Sequence, residues 1–199
     1  PAILTKPFLK IPVICSVRNQ SQAYATKGSL KFPFYYVLER FAFNRSDLVI
    51  YSSSWVKKTV DAVMEVKAPS IVLHHGIDLK KFNPRVKSDI AKKLKLKRFA
   101  IGFFGRLVKE KGIYLLIKAF AKFKKSSKDS SLLVVGEGPE GNELKSLSKQ
   151  LGVEKDVHFV GFVHRNYIPK YMQVCDVIVL PSKSEGFSSV VLEAMAMGK

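Results

Sequence analysis

The sequence predicts an α/β protein with two Rossmann-like domains, each built on a parallel β-sheet with helices on both faces. Three observations lead to this expectation. Apolar runs of strand length alternate with stretches of helical periodicity. The strand-like runs are continuously apolar, as expected for strands that are buried on both faces. A crowded basic stretch between residues 85 and 98 separates two such series.

Each series supplies several predicted elements. In the first, we expect strands at 10–17, 47–52 and 70–75, a polar loop through Leu30, and helices at 34–43 and 55–65. In the second, we expect strands at 99–104, 131–135, 157–162 and 176–180, with a helix after each, the last two at 168–173 and 188–197. The predicted domains are therefore residues 1–88 and 99–199, joined by a basic linker at 89–98.

The composition is that of a globular protein rather than a disordered or membrane-spanning one. Of the 199 residues, 47% are hydrophobic and 25% are charged, which is enough apolar material for a core. No apolar run reaches the length of a membrane span, and no signal peptide is visible. Cys15 and Cys175 lie in apolar surroundings without metal-ligand spacing, so we expect buried, reduced thiols and a cytoplasmic location.

The chain is strongly basic, and its charge is uneven. The formal net charge is +18, and residues 1–98 contain 19 Lys and Arg against 6 Asp and Glu. Such a field attracts nucleic acid, anionic lipid surfaces or phosphorylated substrates. A Lys-rich solvated surface is an equally simple explanation, so the charge alone does not select a partner.

Both ends of the sequence look like breaks in a longer protein. The chain begins at Pro1 without a methionine and ends at Lys199, directly after a strongly helical run. We expect a fragment truncated at both ends, with both domains incomplete.

The loop after the strand at 99–104 has the features of a phosphate site. Gly105 allows close approach of backbone to a ligand, and a helix begins shortly after the basic residues Arg106 and Lys111. Free N–H groups at a helix N-terminus favour anions, and an Arg binds phosphate through two hydrogen bonds. The alternative is that these cations are ordinary solvated loop residues.

The loop after the strand at 131–135 contains Gly136 and Gly138 in the segment GlyGluGlyPro. Glycines at these positions permit a tight strand-to-helix turn. Backbone contact with a nucleotide base is the functional alternative.

A third loop, residues 181–198, combines two acidic residues with a helix start. Glu185 precedes the flexible Gly186, and Ser188 is a candidate N-cap. Glu193 falls inside the helix between apolar residues, where a carboxylate is costly unless it accepts hydrogen bonds, for example from sugar hydroxyl groups. A surface Glu on an amphipathic helix is the alternative.

These residues resemble a known family. Glu185 and Glu193 match the Glu-x7-Glu motif of retaining glycosyltransferases with the GT-B fold, and the surrounding residues 185–198 resemble glycosyltransferase family four, also known as glycosyl transferases group 1. Residues 105–112 resemble that family's phosphate loop. Three further segments, at 75–84, 136–139 and 157–163, resemble family segments in the right order. The resemblance implies two Rossmann-like domains whose parallel sheets face each other across a cleft.

The resemblance also implies roles for individual residues. Arg106 and Lys111 would hold the donor diphosphate, Glu193 the ribose hydroxyls, and Glu185 the transferred sugar. The implied catalytic set is Arg106, Lys111 and Glu185. The implied donor-binding residues are Gly105, Arg106, Lys111, Gly136, Glu185, Gly186, Phe187, Ser188 and Glu193. Two residues depart from the family pattern. His75 stands where the family usually has Asn, so its role is open, and Ser188 stands where the family often has Gly.

The expected activity is transfer of a sugar, with retained configuration, from a nucleotide-diphosphate sugar to a glycan, lipid-linked or small-molecule acceptor. No cofactor and no metal are expected, since an Asp-x-Asp motif is absent from the sequence. Same-fold alternatives include a nucleotide-sugar epimerase. A non-catalytic basic nucleotide- or RNA-binding module is the alternative from another class, although most aromatic residues fall at core spacing and we expect no nucleic-acid partner.

The strongly basic first domain suggests a second kind of partner. We expect it to bind a lipid-phosphate-type acceptor or to touch an anionic membrane surface, which would place the protein at the inner face of the membrane. Aromatic residues 34–36, close in sequence to Lys27, Lys31 and Arg40, are the candidate patch. A helix packed within the first domain is the alternative for these residues.

Overall fold

The structure, a computed structural model, describes residues 11–18 and 32–199. Lys27, Lys31 and most of the predicted loop that ends at Leu30 lie outside the described residues. Among the helices of the described ranges, none combines the length and apolar character that crossing a bilayer requires.

The chain divides into two units, and the division differs from the predicted one. The first unit takes the residues up to Gly76 together with Glu185–Phe187, and the second takes Ile77–Ser184 and Ser188–Lys199. Residues 77–98 therefore belong to the second unit instead of ending the first domain or linking the two. The reason is packing: Phe82 is 1% exposed and joins the core of the second unit, and Ile90 is also buried.

The first unit contains a parallel sheet. Its described elements are β1 (Ile14–Val17), α1 (Phe32–Arg45), β2 (Leu48–Tyr51), α2 (Ser54–Asp61) and β3 (Ser70–Val72). The strands pair in the order β1-β2-β3, all parallel. Val49 and Tyr51 of β2 pack against Val56 and Val60 of α2 in the core of this unit.

The segment Glu185–Phe187 is held in the first unit by three contacts. The Ser53 hydroxyl donates a hydrogen bond of 2.8 Å to the Gly186 carbonyl and accepts one of 3.1 Å from the Val56 N–H, which caps α2. The ring of His74 stacks on Phe187 with 5.2 Å between ring centroids. His75, the residue that departs from the family pattern, also contacts the Phe187 ring, at 5.7 Å between centroids.

The second unit contains a larger parallel sheet. Its elements are α3 (Ile90–Lys93), β4 (Phe99–Phe104), α4 (Ile113–Ser126), β5 (Ser130–Val135), α5 (Gly141–Gln150), β6 (Val157–Gly161), α6 (Ile168–Gln173), β7 (Val177–Ile178) and α7 (Ser189–Ala196). The strands pair in the order β6-β5-β4-β7, all parallel.

The central strand β5 is buried along its whole length because both faces of this sheet are covered. Leu132 and Val134 pack in one cluster, which includes Ile117 and Phe120 of α4. Leu133 and Val135 point the other way and pack in a second cluster, with side chains of α6 and the segment after α7. Burial of one such side chain stabilises the fold by roughly 1.5–3 kcal/mol. The predicted α/β class with parallel sheets is confirmed. Coverage of both faces holds for the second sheet, whereas Ile14 of β1 and Ile71 of β3 in the first sheet are exposed.

Candidate active site

The loops that follow β4 and β5 lie side by side at the carboxyl edge of the second sheet. The Gly105 N–H donates to the Val135 carbonyl at 3.0 Å, and the Leu107 N–H donates to the Glu137 carbonyl at 2.9 Å. The Glu140 N–H returns a bond of 3.1 Å to the Leu107 carbonyl. The backbone of one loop thus completes the hydrogen bonding of the other, which fixes both at the edge where ligands of open α/β sheets bind.

The rest of the phosphate-type loop forms a tight turn before α4. Lys109–Lys111 form a 3-10 turn, and Gly112 follows in the left-handed region at φ 69°. A β-carbon at Gly112 would lie 2.2 Å from the Pro181 carbonyl oxygen, so the turn requires glycine. The Lys183 N–H donates to the Glu110 carbonyl at 2.9 Å. The turn is therefore tied to the segment that follows β7, and α4 begins immediately after it.

Helix α7 brings Glu193 into the interior, so the surface position that the sequence left open as the alternative is wrong. Ser188 caps the helix, since its Oγ accepts a hydrogen bond of 3.4 Å from the Val191 N–H. Glu193 lies beyond the first turn and is 6% exposed. Burial raises the pKa of the Glu193 carboxyl, while the positive charges of Arg165 and Lys81 act in the opposite direction.

One cavity of about 340 Å³ joins four of the predicted site residues of the second unit. Its lining consists of Phe104, Gly105, Arg106, Val135, Gly136, Glu137, Phe162, Val163, Arg165, Ile168, Val190 and Glu193. Four predicted site residues meet there: Gly105, Arg106, Gly136 and Glu193. Most of the other lining side chains are apolar and form an apolar floor, and the lining also contains the exposed Arg106 and Arg165 and the buried Glu193.

The other predicted residues lie elsewhere. Lys111 closes the 3-10 turn and Ser188 caps α7, and neither lines this cavity. Glu185, Gly186 and Phe187 are grouped with the first unit. Their roles toward the sugar stay predictions.

Two charged residues of the cavity were missed by the sequence reasoning. Arg165 follows β6, and its Nη2 lies 3.2 Å from Oε1 of Glu193. Glu137 accepts a hydrogen bond of 3.0 Å from the Phe162 N–H, which ties the loop after β5 to the end of β6. A signal for Arg165 was present: it lies in a loop after a strand of the same sheet, and such loops meet at one edge.

The arrangement suits a nucleotide. An apolar floor can hold a planar base, a buried carboxylate can accept two hydrogen bonds from neighbouring hydroxyl groups, and an exposed guanidinium such as that of Arg106 can bind phosphate. Within residues 11–18 and 32–199, no group of three or more His, Cys, Asp or Glu side chains is arranged to hold a metal ion.

The fold defines the class of protein. Two units with parallel sheets, and structural neighbours that are GT-B glycosyltransferases, make this chain a GT-B protein. The family described as "Glycosyl transferases group 1" matches residues 86–199, which is more than half of the chain. The chain belongs to this family, as the sequence resemblance implied.

Curated relatives agree with this assignment. The chain is similar to the lipopolysaccharide core biosynthesis mannosyltransferase LpsB of Rhizobium meliloti, with 31% identity over 207 residues, which covers 100% of this chain and 54% of LpsB. It is also similar to the N-acetylgalactosamine-N,N'-diacetylbacillosaminyl-diphospho-undecaprenol 4-alpha-N-acetylgalactosaminyltransferase of Campylobacter jejuni, with 38% identity over 125 residues. That match covers 63% of this chain and 32% of the relative.

Among solved structures, HepE of Anabaena in complex with UDP-glucose superposes with a TM-score of 0.82 at 23% identity. The match covers 100% of this chain and 54% of HepE. At this identity the likeness establishes the fold alone. The chain spans about half the length of both LpsB and HepE.

Proposed function

We propose that the protein is a retaining glycosyltransferase that takes a sugar from a nucleotide-diphosphate sugar. The observation that carries the proposal is the single cavity that joins Arg106, Gly105, Gly136 and the buried Glu193. The base would lie on the apolar floor, Glu193 would accept hydrogen bonds from the ribose hydroxyls, and Arg106 would bind the diphosphate. The UDP-glucose complex of HepE, a protein of the same fold, supports a nucleotide sugar as the donor.

In the proposed reaction, the bond between the anomeric carbon and the diphosphate oxygen breaks, and an acceptor oxygen bonds to the same face of that carbon. The acceptor's proton passes to the departing diphosphate, which takes the electron pair of the broken bond. Negative charge grows on this leaving group, so fixed cations stabilise the transition state more than the ground state. Arg106 and Lys111 supply these cations in our proposal, in place of a metal ion, and Glu185 contacts the transferred sugar.

The proposed acceptor is a glycan, a lipid-linked sugar or a small molecule. The names of two relatives point to lipid-linked substrates, since one is a lipopolysaccharide core mannosyltransferase and the other names a diphospho-undecaprenol compound. The positive charge of residues 1–98, which contain 19 Lys and Arg but only 6 Asp and Glu, is consistent with an anionic acceptor.

We also propose that the protein touches an anionic membrane surface from the cytoplasmic side through helix α1. Val37 and Phe41 of this helix are 62% and 39% exposed, and Arg40 and Arg45 lie beside them. Apolar side chains next to cations are the combination that inserts at a lipid headgroup boundary.

Calorimetric titration of the protein with UDP, GDP, ADP and their sugar conjugates tests the donor site. We expect one nucleotide to bind, and Glu193→Ala and Lys111→Ala to weaken it by about tenfold or more, the size of a lost charged hydrogen bond. Lys118→Ala is the matched control, because Lys118 is exposed on α4 outside the cavity. Unchanged affinity in both site variants would refute the proposal.

Product analysis by NMR separates transfer from epimerisation. Transfer releases free nucleoside diphosphate and keeps the anomeric configuration of the sugar. An epimerase would instead return an isomeric nucleotide sugar without release.

A further inference from the structure

The ion pair between Glu193 and Arg165 joins a buried group to an exposed one. Glu193 is anchored in α7 with 8% of its side chain exposed, whereas the Arg165 side chain is 69% exposed. The contact runs from Nη2 of Arg165 to Oε1 of Glu193 over 3.2 Å. Because a carboxylate has two oxygens and about four acceptor positions, one bond to Oε1 leaves capacity for further donors.

The surroundings of Glu193 act on its protonation in opposite directions. Burial favours the neutral acid and raises its pKa, and the positive charges of Arg165 and Lys81 favour the carboxylate. Arg106 and Glu137 are the other charged groups that line the same cavity. Arg165 is the cation that makes the direct contact, and a guanidinium carries its charge at every pH of interest.

A neutral Glu193 would perform the role proposed for it less well. Two neighbouring ribose hydroxyls each donate a hydrogen bond, and a carboxylate accepts both. A protonated carboxyl carries an O–H of its own and has one acceptor site fewer facing the sugar. A group that keeps the Glu193 carboxylate ionised and correctly oriented therefore strengthens ribose binding.

We propose that Arg165 is a positioning residue, which holds the Glu193 carboxylate ready for the two ribose hydroxyls and so makes the cavity selective for ribonucleotides. This inference rests on the proposed function, since it assigns the ribose to Glu193. Arg165 acts through Glu193, because its guanidinium holds one carboxylate oxygen while the hydroxyls take the remaining acceptor positions. No step of sugar transfer passes through Arg165.

The test is titration of the protein between pH 5 and pH 8 with whichever of UDP, GDP and ADP binds, and with its 2'-deoxy form. Arg165→Gln keeps a polar side chain and removes the charge. We expect its affinity for the ribonucleotide at pH 7 to fall by about two- to fivefold, the size of an exposed ion pair. Without Arg165 the pKa of Glu193 rises further, so the loss of binding on acidification should begin at a higher pH than in the wild type.

Two further measurements distinguish positioning from general damage. Arg165→Lys should recover part of the wild-type affinity for the ribonucleotide and part of its dependence on pH. In Arg165→Gln, the preference for the ribonucleotide over its 2'-deoxy form should shrink. Arg98→Gln is the matched control, since Arg98 is exposed and precedes β4, at the opposite end of that strand from the cavity.

The outcomes separate this inference from the proposed function. If the wild type binds a nucleotide through Glu193 while Arg165→Gln keeps the wild-type affinity and pH profile, the inference is overturned and the proposed function stands. Tighter binding by Arg165→Gln would overturn it as well, because Arg165 would then compete with the ribose. If no nucleotide binds the wild type, the proposed function fails first.

Discussion

The carbonyl oxygen of Gly105 occupies the place where a side chain on Gly136 would have to be. A β-carbon built on Gly136 would lie 1.9 Å from that oxygen, far inside any allowed contact, and Gly136 has a φ of 134°. The two loops of the candidate site approach each other this closely because Gly136 has no side chain, whereas a β-carbon on Gly105 would meet only the Phe103 ring, at 3.4 Å. The approach also places both glycines in the wall of one cavity.

Gly136→Ala should therefore damage both stability and the site. We expect the free energy of unfolding to fall by roughly 2–4 kcal/mol, from steric overlap together with backbone strain. Urea unfolding measures the stability, and nucleotide titration measures the site. Gly141→Ala is the control, since its added β-carbon would meet only the Leu107 side chain at 3.6 Å. Equal stability of the two variants would contradict the steric argument.

Arg106→Gln should weaken nucleoside diphosphate binding without changing the fold. Arg106 is exposed at the edge of the cavity, so its loss removes a charged hydrogen bond to phosphate but no packing. We expect about a 10- to 100-fold loss of affinity for a diphosphate and a much smaller loss for the nucleoside alone. Titration with both ligands checks this. A similar loss for the nucleoside would place Arg106 at the base or the ribose instead.

Glu193→Gln should stabilise the protein at neutral pH while it weakens nucleotide binding. Burial raises the pKa of Glu193, so the folded state resists its ionisation more than the unfolded state does. The resulting penalty is absent at low pH, develops as pH rises through the ordinary pKa of 4.5, and is complete above the raised value. Gln carries no charge and avoids it. We expect a gain of about 0.5–2 kcal/mol at pH 7 and a smaller one at pH 4.

Thermal or urea unfolding of wild type and Glu193→Gln at both pH values measures this difference. Glu154→Gln, at an exposed position of the same unit, serves as the control. A loss of stability in Glu193→Gln at pH 7 would mean that the bond to Arg165 outweighs the cost of burial.

Asp156→Asn should destabilise the second unit. Asp156 is 14% exposed and lies 2.6 Å from the Lys97 ammonium and 3.0 Å from that of Lys124, which is itself 13% exposed. We expect a loss of about 2 kcal/mol at pH 7, between the values for exposed and fully buried pairs. Urea unfolding checks this against the exposed Glu154→Gln control.

The ion pairs of Asp156 with Lys97 and Lys124 also predict how stability depends on acid. Burial alone would raise the pKa of Asp156, but the hydrogen bonds from Lys97 and Lys124 outweigh it and lower the pKa below its ordinary 3.8. This contribution to stability is present above pH 3.8 and is lost as pH falls through the lowered pKa. The deficit of Asp156→Asn relative to wild type should therefore shrink only at strongly acidic pH.

The exposed face of α1 predicts selective binding to lipid vesicles. We expect the double variant Val37→Ser and Phe41→Ser to sediment less with vesicles of anionic phospholipid than the wild type does, since it loses apolar contacts. Leu79→Ser is the control, because Leu79 is 68% exposed in the other unit. Equal binding of the wild type to neutral and anionic vesicles would remove the electrostatic part of the proposal.

The second unit could be predicted well because its central elements are apolar without interruption. The strand expected at 99–104 is β4, and the helix expected at 168–173 is α6, with the same bounds. At the edge of the sheet the predicted strand was too long. The strand expected at 176–180 contains only Val177–Ile178, which pair with β4 at two positions. An apolar run indicates a segment that can form a strand, and its pairing partners decide how much of it does.

The candidate site could be predicted only in part, for a similar reason. Glu193 was identifiable because a carboxylate among apolar helix residues is unusual. Arg165 was missed, because its position after a strand does not by itself distinguish it from a solvated loop cation, and only the fold shows its contact with Glu193. The basic stretch around α3 was predicted to be a linker because of its many lysines. The structure places it in the second unit, because Phe82 and Ile90 are buried there.

The hydrogen bonds that join the loops after β4 and β5 have a consequence for the thermodynamics of ligand capture. The amides of Gly105 and Leu107 are already bonded to Val135 and Glu137 when the protein has folded. The conformational entropy of ordering these loops is lost during folding rather than when a ligand arrives. The cavity is thus a preorganised receptor, whose backbone amides should be protected from hydrogen exchange before any nucleotide is added.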